Sequence, residues 1–312
     1  MKKFLLHILL FFAIVGIVDV GIGFCGRYLR GHAKGGITRQ FDDLVMKDKH
    51  DMLVLGSSRA HSHYDTSFLS DTLGFDVYNA GYEGNGVILS YGIVDLVLKR
   101  YTPRIVLFDV EPAFDIIVYQ PDNKDIRYIN LLKPYYREND IPEIIKGVSR
   151  EEWNKVQSGM IRYNTNILRM LVDNVINRGI EKCGYAPLNG RIEKDPEQKH
   201  QKSEEYIIDE LKLAFMEKLI DQCQSHNVSL IFVASPKYGK NTSILEPVKQ
   251  LAEKKGVRFL DYYNDSTFMA HKEWFKEPMH LNKEGARFFS RMMVPEIEKL
   301  LNNNGNRQKD IR

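Results

Sequence analysis

Met52-Leu53-Val54-Leu55-Gly56-Ser57-Ser58-Arg59 joins a short apolar run to a glycine, two serines and a cation. The four apolar residues read as a strand covered on both faces. The small residues after them read as a turn from strand to helix. Similar runs recur at 76–78, 105–108, 229–234 and 258–260, and the first, third and fourth of the five are the most apolar. Helix-like stretches stand between and after them at 87–100, 203–224, 244–255 and 283–301. Asn282 is a natural N-cap for the last, and Asn227 and Gly256 mark turns before strands.

Strands alternating with helices predict an α/β fold, a parallel sheet with helices on both faces whose ligands sit at the carboxyl ends of the strands. Gly56-Ser57-Ser58 follows the first strand, Asn79-Ala80-Gly81 the second, Asp109-Val110-Glu111-Pro112 the third and Ser235-Pro236-Lys237 the fourth. One edge of one sheet therefore collects the polar residues. A serine hydroxyl needs a base to take its proton and usually a third group to orient that base. Glu277-Pro278-Met279-His280-Leu281-Asn282, near the other end of the chain, offers both. Ser58, His280 and Glu277 are thus the expected catalytic residues. Each piece alone has a plainer reading, a glycine turn kept for backbone geometry and a histidine filling a loop. Agreement between strand order and sequence order is what joins them.

At 312 residues, 43% hydrophobic and 27% charged, the chain has enough material for one full core and an insertion. Its net charge of +3, with no basic stripe, excludes a nucleic-acid partner, and Arg307, Lys309 and Arg312 read as a solvated end. Lys2 and Lys3 precede an almost unbroken apolar run over 4–25, interrupted by His7 and Asp19. At ~1.5 Å per residue it is long enough to cross a ~30 Å hydrocarbon layer. Asp19 lies near the far end, where water or headgroups reach it. Arg27, Arg30 and Lys34 weaken the positive-inside contrast, yet basic residues ahead of an apolar run read as an export signal, which puts the bulk of the chain outside. Gly21 and Gly23 offer a cleavage site as the rival outcome to a retained anchor.

Cys25, Cys183 and Cys223 show no metal-like spacing. A Cys183–Cys223 bridge and two separate buried thiols both stand as readings, and bulky Phe24 argues against lipid attachment at Cys25. If 59–65 were extended, His61, His63 and Asp65 would point to one side with metal-ligand character, but no fourth ligand accompanies them and no metal or other cofactor is expected. Residues 113–202 break the alternation. Aromatic and charged residues mix there, with helical periodicity clearest over 161–176, so the stretch reads as a mostly helical insertion ending in a mobile polar segment at 191–202. A lid over the site and an extension without catalytic part are both open. The expected division is an anchor at 1–26, a linker at 27–49 and one α/β domain at 50–312.

Gly56-Ser57-Ser58, Asn79-Ala80-Gly81 and His280-Leu281-Asn282 before a helix resemble the SGNH, or GDSL-like, hydrolase superfamily, over about 50–112 and 225–300. The anchor is similar to that of its extracytoplasmic acyl-transfer branch, which acts on alginate, peptidoglycan or teichoic acid. The resemblance implies a three-layer α/β/α sandwich with a five-stranded parallel, flavodoxin-like sheet. It makes Ser58 the nucleophile, His280 the base and Glu277 the replacement for the family's aspartate. Gly81, the Ser58 N–H and Asn79 become the oxyanion donors. Glu111 stands where the family places an asparagine side chain, and a carboxylate there would repel an oxyanion unless protonated or turned away. Arg59, Glu111 and Asn85 are the residues expected to meet substrate, with Arg59 and one histidine, His61 or His63, lining the entrance, where the cation favours an acidic glycan or holds Glu111.

Two functions from different classes follow. One is an esterase or O-acyltransferase of the inner (cytoplasmic) membrane, its site in the periplasm, acting on a cell-surface glycan or a small acyl ester, with a multi-pass membrane acyltransferase as possible partner. The other is a non-catalytic binding component of an envelope polysaccharide modification or export complex.

Overall fold

A computed structural model of the chain describes residues 1–118, 124–164, 167–176, 182–193, 206–239 and 244–309. In chain order its elements begin with α1 (Lys2–Gly31), α2 (Gly36–Met46), β1 (Met52–Gly56), α3 (Ser58–His63), α4 (Thr66–Leu73), β2 (Val77–Gly81), α5 (Val87–Leu98), β3 (Ile105–Asp109) and α6 (Pro112–Asp115). There follow α7 (Ile141–Val148), α8 (Arg150–Val156), α9 (Gly159–Asn164), α10 (Ile167–Val175), α11 (Glu210–Ser225), β4 (Ser229–Ala234) and α12 (Glu246–Lys255). The chain closes with β5 (Arg258–Asp261), α13 (Ser266–Met269), β6 (Phe275–Glu277), β7 (His280–Leu281) and α14 (Lys283–Lys309). Two compact units divide it, Asp48–Lys124 with Glu181–Arg312, and Met1–Lys47 with Asp125–Ile180.

The larger unit holds the sheet. Five parallel strands run in the order β2-β1-β3-β4-β5, the flavodoxin-like winding. Every residue of β1, β2 and β3 is buried, as apolar strands sandwiched between helix layers require. Side chains alternate across the sheet with period two. Val54, Leu107 and Ile231 share a core with Phe289, Met293 and Ile297 of α14, on the face that also carries α3 and α4. The opposite face is covered by α5 and α11, and α5 is buried along nearly its whole length. The register aligns Gly56 with Gly81 on one side and Asp109 on the other, so the carboxyl ends of three strands finish level. The architecture is a three-layer α/β/α sandwich.

Most departures from the expected elements lie at their ends. β2 runs through Asn79-Ala80-Gly81, which the sequence reading put after the strand. α11 starts at Glu210 because Asp209 caps it, accepting from the Leu211 and Lys212 N–H groups, while Ile208 just before pairs with Ile117 in an antiparallel bridge. α14 begins under the Asn282 cap and continues to Lys309. Residues 59–65 are not extended. Ser58–His63 is helical and Asp65 caps α4 through the Phe68 N–H, so His61, His63 and Asp65 do not share one side. Cys183 and Cys223 are separate thiols. The part of the polar stretch beyond residue 193 lies outside the described residues, as do the first residues of the helix expected from 203.

The smaller unit is helical and is assembled on the far end of α1. Residues 4–18 of α1 are exposed, whereas Gly23, Gly26 and Arg30 are buried. Asp19, the one acidic residue of the run, accepts hydrogen bonds from the Gly159 and Met160 N–H groups at 2.9 Å each and from the Ser158 hydroxyl. It thereby caps α9, whose first N–H groups have no partner within the helix. Gly159 is required at that crossing, since a Cβ there would meet the Asp19 carbonyl oxygen at 2.6 Å. Arg30 pairs with Asp42, which also accepts from the Tyr135 hydroxyl. α1 is the helix, among the described residues, long and apolar enough to cross a membrane.

Candidate active site

Gly56 ends β1 with φ +136°, a conformation that side chains other than glycine's rarely adopt, and a Cβ there would lie 2.6 Å from the Asp109 carbonyl oxygen. The chain therefore turns sharply at the carboxyl edge of the sheet. Ser57 caps α3, its hydroxyl accepting from the Arg59 N–H at 3.3 Å, and Ser58 becomes the first helical residue. α3 is tied to β2 by Asn79, whose amide donates to the Ala60 carbonyl at 2.7 Å. The turn places the Ser58 hydroxyl at the edge where ligands of such sheets bind.

His280 and Glu277 arrive on a different element. β6 and β7 form a small antiparallel pair in which Glu277 lies opposite His280, so a sequence spacing of three becomes a side-by-side contact. His280 Nδ1 bonds to the Glu277 carboxylate, and His280 Nε2 lies 2.8 Å from the Ser58 Oγ. A carboxylate only accepts, so Nδ1 carries the ring proton and Nε2 is left with a free lone pair toward the serine. Burial would raise the Glu277 carboxyl, but the bonds from His280 and the Met279 N–H and the nearby charges of His280 and Lys276 outweigh it and hold the group below its ordinary value. Glu277 is thus ionised at neutral pH. A hydroxyl, an imidazole lone pair and a carboxylate in series are what proton removal from serine needs.

The three open onto a cleft of about 320 Å³, also lined by His61, Ser62, Glu83, Gly84, Ala186, Leu188 and Lys276. A second cleft of about 500 Å³ begins at the same Leu188 and is bordered by Asn189, Arg191, Glu273 and Lys283.

Several expected site residues are elsewhere. The Gly81 N–H donates to the Asn79 side-chain oxygen at 3.0 Å, and the Asn79 amide nitrogen is spent on α3, so neither is offered to an oxyanion. The reason is local: β2 continues to Gly81, and an asparagine two residues earlier reaches its own backbone. Asn85 turns its amide onto the Glu83 carbonyl at 2.9 Å. Gly84, one residue before it and with φ +65°, borders the cleft instead. Its place in the loop after β2, rather than its own residue type, was the signal available in the sequence.

Arg59 and Glu111 are 1% and 3% exposed and pair with each other, so they do not reach the cleft as substrate-binding residues. The Glu111 carboxylate is held by the Arg59 guanidinium. The Arg59 guanidinium also donates to the Ser235 carbonyl and hydroxyl. Burial would lower Arg59, but Glu111 and Asp109 dominate and raise it, so the cation persists at every working pH.

Beneath the cleft lies a residue that the sequence offers as a metal ligand or as the histidine lining the entrance, and the structure makes it neither. His63, fully buried, accepts the Leu281 N–H on Nε2 at 3.0 Å and meets the Ser235 hydroxyl through Nδ1 at 2.9 Å. The Ser235 hydroxyl donates to Asp109 at 2.6 Å. Leu281 follows His280 directly, so His63 holds the backbone that carries the cleft histidine.

Neither a family model nor a curated relative matches the chain. Among solved structures it is similar to a Bacteroides fragilis protein provisionally named an acylhydrolase, at 12% identity and a TM-score of 0.42, covering 85% of this chain and 97% of that one. It is also similar to the psychrotrophic esterase EstA of Pseudoalteromonas sp., solved inhibited by monoethylphosphonate, at 11% identity and a TM-score of 0.41, covering 81% of this chain and 99% of that one. Both scores lie below 0.5, and the chemistry of this site rests on its own geometry. By that geometry the chain is a doubly wound α/β protein with a serine–histidine–glutamate series at the carboxyl edge of its sheet.

Proposed function

We propose that the protein is a serine acyl-ester hydrolase or O-acyltransferase of the SGNH type. The observation that carries the reading is the 2.8 Å contact between Ser58 Oγ and His280 Nε2 with Glu277 behind the imidazole. Ser58 attacks the acyl carbon as His280 takes the hydroxyl proton; the tetrahedral intermediate collapses, His280 returns the proton to the leaving alkoxide, and an acyl-serine remains. Water then releases the acid, or a sugar hydroxyl accepts the acyl group, with His280 again as base. The oxyanion is assigned to the N–H groups of Ser58, in the first turn of α3, and of Gly84 at the cleft.

The substrate class is an acyl ester on a cell-surface glycan. Support comes from the two adjoining clefts, whose charged and amide borders suit a hydroxyl-rich chain better than an apolar ester. α1 is read as a retained anchor in the cytoplasmic membrane, with Lys2 and Lys3 inside and the remainder outside. Retention is supported by Asp19, whose bonds to the first N–H groups of α9 would be lost if a peptidase removed the run.

One observation favours a binding role without turnover: neither Asn79 nor Asn85 lends its side-chain amide to the cleft, leaving backbone N–H groups alone for the oxyanion. A fluorophosphonate probe applied to the full chain in detergent decides between them. Covalent capture at Ser58, abolished by His280→Ala, supports the esterase; a folded chain that takes no label supports the binding role.

A further inference from the structure

α10 is amphipathic in the wrong sense for a helix facing water. Leu168, Leu171 and Val175, spaced i, i+3 and i+7 and so on one face, are 76%, 44% and 81% exposed. Its inward positions include polar ones. Asp173 is buried and its carbonyl accepts the Lys34 N–H at 2.9 Å, while the Asn174 amide donates to the Leu29 carbonyl at 2.7 Å. The Asn174 side chain and the Asp173 backbone carbonyl thus tie this helix to the end of α1 and the residues just after it, and Leu168, Leu171 and Val175 point away. α9 continues the pattern, with Met160 and Ile161 each 45% exposed.

The position of these helices along α1 says what covers them. About 20 residues of helix span a ~30 Å hydrocarbon layer, and counting from Phe4 that length ends near Gly23. Gly23 is the residue that faces Gly159 at the start of α9. α9 therefore begins where hydrocarbon gives way to headgroups, and α10 meets α1 slightly farther out, at Leu29. Exposed Phe24 and Tyr28 continue the apolar surface of α1 at the same level, and Arg27 on α1 and Arg169 next to Leu168 on α10 are exposed cations of the kind that meet phospholipid phosphates.

We propose that the outward face of α9 and α10 lies in the headgroup layer of the bilayer that α1 crosses, forming a monotopic foot beside the anchor. The inference rests on the anchor reading of α1. It is independent of the chemistry at Ser58. The occupant is phospholipid, because the face is continuous with the apolar surface of α1.

The test places an environment-sensitive fluorophore at single cysteines of the full chain, with Cys25, Cys183 and Cys223 replaced by Ala, in vesicles of phosphatidylcholine and phosphatidylglycerol. Leu168→Cys and, as an independent report on the same face, Leu171→Cys are expected to emit at shorter wavelength than the water-facing control Glu151→Cys and to be quenched by brominated lipid. Ile14→Cys in α1 is expected to be quenched as well. Quenching at Ile14 with water-like emission at 168 and 171 overturns the foot and leaves the anchor standing. Blue-shifted emission at 168 and 171 without lipid quenching overturns it in favour of a protein partner or a second copy. No quenching at Ile14 removes the anchor reading and the foot with it.

Discussion

Two serine–histidine–carboxylate sets stand close together in the larger unit, and only one of them opens onto the cleft. In the cleft, the Ser58 hydroxyl meets an unprotonated His280 Nε2, and the imidazole passes its other N–H to Glu277. Below, His63 uses Nε2 to accept the Leu281 N–H, so its Nδ1 carries the proton and donates to Ser235, whose own proton goes to Asp109. The lower histidine has no lone pair left for a serine. Burial first, then the charges of Arg59 and His280, holds His63 well below its ordinary value, which keeps it neutral. Asp109 is pushed up to about 6 by burial, against the pull of Arg59 and Ser235. Residue type does not distinguish the sets; the direction of each proton and access to the cleft do.

The largest expected effect breaks the comparison directly. Ser58→Ala is expected to remove fluorophosphonate capture and to lower p-nitrophenyl acetate hydrolysis by ~10⁴-fold or more, whereas Ser235→Ala leaves Ser58 open to capture. Capture at Ser235, or hydrolysis unchanged in Ser58→Ala, would reverse the roles. His63→Ala tests whether the lower set positions the upper one. It leaves the Leu281 N–H without its acceptor, and a misplacement of His280 by ~1 Å is expected to lower kcat by ~10²-fold with KM little changed. His63→Gln, whose amide oxygen accepts the same N–H, is expected to recover part of that loss; equal rates in the two variants would end the positioning role.

Glu277→Gln is smaller, because the carboxylate is half-exposed and water shares its work. A tenfold change in rate corresponds to ~1.4 kcal/mol, about the lower end for a hydrogen bond to a charged group, so a loss of ~10-fold in kcat is expected. A loss as large as that of Ser58→Ala would assign Glu277 a larger part than its exposure allows.

The smallest effect is on stability. His63 is neutral in the fold and regains its ordinary value near 6.5 when unfolded, so the unfolded chain binds an extra proton below that pH. Its contribution is complete above about pH 6.5 and is lost on acidification, at up to ~1.4 kcal/mol per pH unit for one group. Denaturant unfolding at pH 7.5 and 5.5 is expected to show a steeper loss for the native chain than for His63→Gln. Equal slopes would mean that the lower histidine is not held neutral.

Much of this was legible without coordinates, and the boundary is instructive. β1, β3 and β4 are apolar runs whose ends are marked locally, by Gly56 at the end of the first and Asn227 before the fourth, while Gly256 marks the turn before the shorter β5. Asn282 caps α14 by reaching two N–H groups within three residues. That Ser58, His280 and Glu277 meet was legible because strand order and turn chemistry put them at one edge. The Ser58 N–H, proposed as one oxyanion donor, was legible from the same turn, but that Gly84 rather than Gly81 borders the cleft was not, because it depends on where β2 ends and where Asn79 turns its amide. His61, His63 and Asp65 share a side only on an extended 59–65, and the helix at 58–63 removes that geometry.

What the sequence determined by itself is whatever depends on near neighbours: a strand's apolar period, a glycine turn, a cap, an apolar run long enough for a bilayer. Tertiary structure alone decided that Ser58 and His280, 222 positions apart, share a hydrogen bond, that Arg59 and Glu111 neutralise each other out of reach of the cleft, and that Asp19 caps α9. The reason is physical. Backbone preference and hydrophobic period act over a few residues, whereas a polar side chain takes whichever partner the packed fold leaves within about 3 Å.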